Sequence, residues 1–204
     1  LRCSLDRGDL WDERPSPKHL AVKDRFTWAD MQRMVAETNM TEFNEVFDSN
    51  YDYDNSPTKL PAGRVEIVLD PSQTLESFEL NLATAEGIAR FQNGAPLRAL
   101  VHANSVTEPV ALLHLPGPAP REVRLLSPDS VKKLGYGPPR KGEAEGLRWF
   151  EQEGADGFAY AVCAAWKRTG NTTLLALTVA TRAEGKSPQA VAQARVEAAL
   201  QTAY

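Results

Sequence analysis

The sequence lacks the features that mark several large classes of protein. No stretch approaches the roughly 20 consecutive apolar residues of a membrane-spanning helix, so no membrane span is predicted. The 204 residues carry a net charge of −4 without a run of Lys or Arg, which argues against a nucleic-acid partner. No glycine-rich phosphate loop is present, and no cofactor is expected.

Cysteine is also scarce, because only Cys3 and Cys163 occur and they do not have metal-ligand spacing. Both lie in strand-like apolar settings. Two interpretations stay open, namely two buried free thiols or a single disulfide. The chain opens on Leu1, with neither a start methionine nor a signal-peptide pattern, so we interpret it as a processed or excised piece.

Residues 61–182 read as a series of short strands separated by turn signals. In residues 78–82, apolar and polar residues alternate, which predicts a strand with one buried face and one solvent-exposed face. Residues 127–146 are rich in Pro, Gly and Lys, and we expect a long loop there. No helix-length segments separate the strands, so the pattern favours a sandwich or barrel over a parallel α/β sheet.

Helical signals flank the strands on both sides. Thr27 is placed as an N-cap, and we expect a helical excursion over about 27–48, with Trp28, Met31, Met34 and Val35 on one face. Thr41 is the expected cap of a second short helix. Ser187 and Pro188 start a helix over 187–204 that has no stop signal, which we interpret as the start of a linker in a longer chain.

One N-terminal segment combines the side chains that usually hold sugars. Within residues 6–14, the candidate contacts are Arg7, Asp9, Trp11 and Asp12. Aromatic rings pack on the C–H face of a sugar, while carboxylates and Arg bond its hydroxyls. The alternative is a salt-bridged turn with a buried Trp. Because the carboxylates are close sequence neighbours, they do not establish an acid–base pair, and no catalytic residue is assigned.

Other chemistry-bearing residues give weaker patterns. The acidic loop at 48–54 resembles the start of a calcium loop, but Tyr53 and Lys59 stand where its glycine and bidentate glutamate belong, so no metal site is predicted. His102 and His114 lie in strand-like runs, where a hydrogen-bonded structural histidine is the expected role.

The order of these segments resembles the N-terminal domain of family 95 glycoside hydrolases and related proteins. The segments that carry the resemblance are residues 4–12, 60–67, 78–85, 101–105, 146–150, 175–181 and the helix from 187. The resemblance implies an antiparallel supersandwich of the galactose-mutarotase kind over 1–186. It further implies that residues 187–204 lead to a C-terminal (α/α) barrel that holds the catalytic acid and base.

The same resemblance implies a function in carbohydrate metabolism. It places Asp9 and Trp11 nearest a sugar pocket, and it suggests a periplasmic or secreted location. The first hypothesis is therefore a non-catalytic accessory domain, whose partners are the barrel and, through the parent enzyme, a carbohydrate. The alternative is an independent carbohydrate-binding module, with Trp11, Tyr51 and Tyr53 as its sugar platform. A third hypothesis, a complete mutarotase-like enzyme, needs a His and a Glu in one cleft, such as His102 or His114 with Glu108.

Overall fold

A computed structural model describes residues 1–14, 17–48, 58–101 and 109–201 of the chain. The strands are β1 Arg2–Leu5, β2 Trp11–Asp12, β3 Thr58–Lys59, β4 Gly63–Val68, β5 Leu75–Asn81, β6 Glu86–Phe91, β7 Leu97–Val101, β8 Val110–Pro116, β9 Glu122–Leu126, β10 Arg140–Ala144, β11 Leu147–Glu153, β12 Ala159–Thr169 and β13 Thr172–Thr181. The helices are α1 Pro17–Val22, α2 Trp28–Ala36, α3 Met40–Phe43, α4 Asp129–Lys133 and α5 Pro188–Gln201. Every described strand pair is antiparallel, and the predicted mainly-β sandwich class is confirmed.

The chain forms two compact units. The first combines Leu1–Gly8 with Pro61–Tyr204 and holds the two larger sheets. The second, Asp9–Leu60, holds the helical excursion together with the short β2–β3 pair. The excursion expected inside a single domain over 1–186 thus has a compact unit of its own.

The first unit is built on an eight-stranded sheet in the order β10–β11–β12–β13–β8–β7–β6–β5. One face packs on the three-stranded sheet β1–β4–β9, with Val65 and Ile67 against Leu175 and Leu177. The other face packs on α5, with Val196 and its neighbours against the β12 and β13 side chains. This double cover explains why β12 and β13 are almost continuously apolar, since a strand buried on both faces cannot alternate.

Helix α5 is fixed at both ends by side chains. At its start, Ser187 Oγ accepts the N–H of Ala190 at 3.4 Å, and a Glu151 oxygen accepts the N–H of Gln189 at 3.1 Å. At its other end, Lys167 Nζ of β12 donates to the carbonyl of Leu200. These contacts satisfy backbone groups that a helix leaves open at its termini.

The prediction of a long loop over residues 127–146 is wrong, because α4 and β10 form within this segment. Strand β10 has no β-branched or aromatic residue, so its sequence carries no strand signal. It forms because β11 supplies the ladder, and Gly142 lies opposite Trp149. A Cβ at Gly142 would lie 2.4 Å from the Trp149 ring, so the missing side chain makes room for the indole.

The second unit has a small aromatic core. Phe47 packs against Phe26 at 4.8 Å and against Phe43 at 5.2 Å between ring centroids, around the buried Met34 and Val46. The N-cap is confirmed, because the Thr27 side chain accepts the N–H of Asp30 at 3.1 Å.

Three expectations for this unit are corrected. Helical structure already begins with α1, not near residue 27. The cap of α3 is Asn39 and not Thr41, because the Asn39 side chain accepts the N–H of Glu42 at 3.2 Å. Trp28 and Val35, expected on a packed face, are 70% and 56% exposed, since Met34 alone of α2 is buried in this small core.

The cysteines are two free thiols. Cys3 packs with the core between the two larger sheets, whereas Cys163 lies under α5. Burial raises the pKa of the Cys3 thiol, and it raises the pKa of Cys163 to about 12. The free-thiol interpretation is therefore confirmed, with one thiol on each side of the large sheet.

We expect Gly63→Ala to lower the free energy of unfolding by about 2–3 kcal/mol. The φ of Gly63 is +134°, and a Cβ there would lie 2.6 Å from the Leu126 carbonyl oxygen and 3.1 Å from the Phe150 ring. Urea unfolding measures the change. The control Gly137→Ala, with nothing within 4 Å of the added Cβ, should shift it by less than about 0.5 kcal/mol. Equal effects of the two substitutions would contradict this account.

Candidate functional site

Arg7, one of the predicted sugar contacts, belongs to the first unit and is tied into its framework. Its Nη1 donates to the Val179 carbonyl at 2.9 Å and to the carboxylate of Glu184. Glu184 also accepts from Arg195 at 2.6 Å and from the backbone N–H of Thr181 at 2.8 Å. This network joins the segment after β1 to the end of β13 and to α5.

The same contacts set the ionisation of Glu184. Burial raises the pKa of this carboxyl, but the hydrogen bonds from Arg195, the Thr181 backbone and Arg7 outweigh burial and leave the pKa below its usual range. The negative form is therefore the one that the fold holds. Its contribution to stability is present above the ordinary glutamate pKa and is lost as the pH falls through the lowered one.

The other three predicted contacts lie in the second unit. Asp12 is 1% exposed and accepts from Arg14 Nε at 2.9 Å and Nη2 at 2.6 Å, a two-point ion pair. Asp9 is exposed, and Trp11 is 43% exposed in β2, opposite Lys59. Solvent thus reaches Asp9 and Trp11, whereas Asp12 is occupied by its arginine. The sugar contact of this segment stays a prediction.

A groove on the α5 side of the large sheet brings together residues that the sequence did not connect. We call it the His114 groove, and its volume is about 460 Å³. Its lining residues are Glu86, Ala95, Pro96, Arg98, Leu112, His114, Pro116 and Leu174. The volume lies within the usual range of small-molecule sites.

Strand register explains how these side chains meet. His114 lies directly opposite Arg98 of β7 and Leu174 of β13, and opposite residues in antiparallel strands point to the same face. Arg98 Nη1 reaches Glu86 Oε1 of β6 at 3.2 Å. Sequence reasoning considered His114 but missed Glu86 and Arg98, because only the register of three strands places them beside it.

The β5 edge carries a second candidate surface, which we call the β5 strip and define as Leu75, Phe78, Leu80 and Leu82. The strand itself was predicted correctly, but its apolar face was expected to be buried. Phe78, Leu80 and Leu82 are instead 69%, 60% and 84% exposed. The apolar core stops at Ala89 and Phe91 of β6, one strand short of this edge.

Several remaining predictions fall outside the described ranges. His102, Glu108, Tyr51 and Tyr53 are among the residues that the structure leaves out, as is most of the calcium-like loop. Within the described residues, no cluster of three or more His, Cys, Asp or Glu side chains could hold a metal ion. Nor does any described helix have the length and apolar character needed to cross a bilayer.

No family model matches the chain, and no curated protein gives a significant match.

We expect Glu184→Gln to lower the free energy of unfolding by about 1–2 kcal/mol near pH 7, because it removes the charge that Arg7 and Arg195 hold. The difference in unfolding free energy between this variant and the unsubstituted chain should shrink as the pH falls below the usual range of glutamate pKa values, where Glu184 itself becomes neutral. Urea unfolding at several pH values measures it. Glu79→Gln, in an exposed pair with Arg90, is the control and should change little. A pH-independent loss would contradict this prediction.

Proposed function

We propose that this chain is a non-catalytic, N-terminal β-sandwich domain of a glycoside hydrolase, supporting a catalytic helical barrel and contributing to its sugar pocket. The observation that carries the proposal is the β5 strip. Three large apolar side chains, Phe78, Leu80 and Leu82, stand more than half exposed on one edge of the large sheet. Contiguous exposed apolar surface of this kind is typical of interfaces with another protein surface.

The geometry of β5 favours a large partner over a small ligand. All seven residues of the strand are exposed, and it is the last strand of its sheet. Neither proline nor lysine, two residues that commonly protect sheet edges, occurs in it. An exposed edge of this sort suits another domain, and the helical barrel implied by the sequence resemblance is the partner we propose.

The sugar part of the proposal depends on the resemblance and on solvent access. Asp9 and Trp11 are both exposed. An accessible aromatic ring can pack on the C–H face of a sugar, and an accessible carboxylate can accept a hydrogen bond from one of its hydroxyls. The periplasmic or secreted location is proposed from the resemblance alone.

A second candidate function is an independent carbohydrate-binding module. The exposure of Trp11 favours it, because a module of this kind presents an aromatic ring to its sugar. The two functions differ in what the isolated chain can do. A module binds a saccharide by itself, whereas an accessory domain completes its pocket only with the barrel.

We expect the isolated chain to self-associate and to bind an apolar dye through the β5 strip. Phe78→Thr combined with Leu80→Thr should remove both properties. It should change the free energy of unfolding by less than about 0.5 kcal/mol, since the two side chains are exposed and Thr suits a strand. Sedimentation and dye fluorescence measure the effect.

The matched control is Val35→Thr on α2, whose side chain is 56% exposed. It should leave both properties unchanged. A parent chain that sediments as a clean monomer and binds no dye would contradict a docking role for the strip.

We expect an antibody raised against this chain to detect, in cells that produce the protein, a polypeptide several times longer than 204 residues. The extra length would contain the catalytic barrel. A native product of about 204 residues would reject the accessory-domain proposal and favour the independent module.

A further inference from the structure

The His114 groove combines an apolar floor with a small set of polar groups. Leu112 and Leu174 are buried and form part of the packed layer under α5. Pro96 and Pro116 contribute rigid rings to the lining. Apolar walls with a few convergent polar groups are the usual composition of a small-molecule site.

The polar groups present donors and acceptors side by side. The Arg98 side chain is 54% exposed and engages Glu86 through Nη1, which leaves other guanidinium N–H groups open toward the groove. Glu86 is 20% exposed and has further lone pairs. Within the described part of the chain, the side chain of His114 makes no hydrogen bond, unlike the hydrogen-bonded structural histidine that was expected, so its ring nitrogens are available to a ligand.

The charges of the groove select against ionic ligands. The Glu86 carboxylate would repel a bound carboxylate or phosphate, and the Arg98 guanidinium would repel a bound cation. The two charges of the pair also cancel, so the groove has no net charge from this pair. Two neighbouring hydroxyl groups satisfy both partners, because one donates to Glu86 while the other accepts from Arg98. Hydrogen bonds to ionised groups are stronger than those between neutral groups.

We propose that the His114 groove binds a neutral ring that carries adjacent hydroxyl groups. The apolar face of the ring lies on Leu112, Leu174 and the proline rings. Its hydroxyls bond Glu86, Arg98 and His114. This site is separate from the β5 strip, so the proposal does not depend on the docking function, and the two can fail independently.

The test uses the purified chain and small probes followed by NMR chemical-shift titration. The probes are cis-1,2-cyclohexanediol and methyl β-D-galactopyranoside, which have adjacent hydroxyls, and cyclohexanol and cyclohexanecarboxylate, which do not. We expect the first two to bind saturably and to shift the amides of Arg98 and His114. Cyclohexanol should bind at least about tenfold more weakly, because it leaves one member of the ion pair without a partner.

The variants Glu86→Gln and Arg98→Gln should each weaken binding of the diol by about tenfold or more. Both residues belong to a partly exposed ion pair, so the fold should survive, which a thermal melt checks. The chain offers a matched control pair in Glu79 and Arg90, which are 2.7 Å apart on the same face of the same sheet but do not line the groove. Glu79→Gln and Arg90→Gln should leave the affinity unchanged.

Four outcomes would overturn the proposal. The first is the absence of saturable binding by either hydroxylated probe. Tighter binding of cyclohexanecarboxylate would make the groove an anion site instead. Equal losses of affinity for the diol in the groove variants and the control variants would indicate a general effect of charge. Loss of binding in Trp11→Ala, with the groove variants unaffected, would place the ligand at the N-terminal segment.

Discussion

The β12–β13 hairpin is the constraint on which the rest of the first unit depends. Its strands are 11 and 10 residues long, and their central side chains are buried on both faces of the sheet. An apolar surface of that extent needs two covering layers, because a single layer would leave one face in water. The small sheet covers one side and α5 the other, so the order of layers follows from the composition of two strands.

Both candidate surfaces lie where that cover ends. On the α5 side, the packed layer includes Leu112 of β8. Beyond it the same face of the sheet carries polar side chains, namely His114 of the same strand and Arg98 of the neighbouring strand β7. On the other side, the apolar core reaches Phe91 of β6 but not β5. The unequal widths of the layers thus leave a groove with an apolar floor and a few polar groups on one face, and an apolar edge on the other.

Local patterns predicted much of this architecture. Alternation and turn signals located most strands, and the caps at Thr27 and Ser187 are contacts between residues close in sequence. The features that escaped prediction depend on register or on distant contacts. Strand β10 exists because β11 pairs with it, and Lys167 bonds the backbone of a helix 33 residues away. Glu86, Arg98 and His114 come together only after three strands align. The ion pair between Asp12 and Arg14, only two residues apart, is by contrast a local contact of the kind that the salt-bridged-turn alternative predicted.

The two free thiols differ in burial, and their rates of chemical labelling should therefore differ. Alkylating reagents attack the thiolate, and burial keeps both thiols protonated. Modification of the fully buried Cys163 requires its covering layer to open, whereas Cys3 is only half-buried. Cys163 becomes reactive when α5 separates from the large sheet. The labelling rate of Cys163 therefore reports on the opening of the α5 layer without any added probe, and Cys3 serves as the more accessible reference thiol.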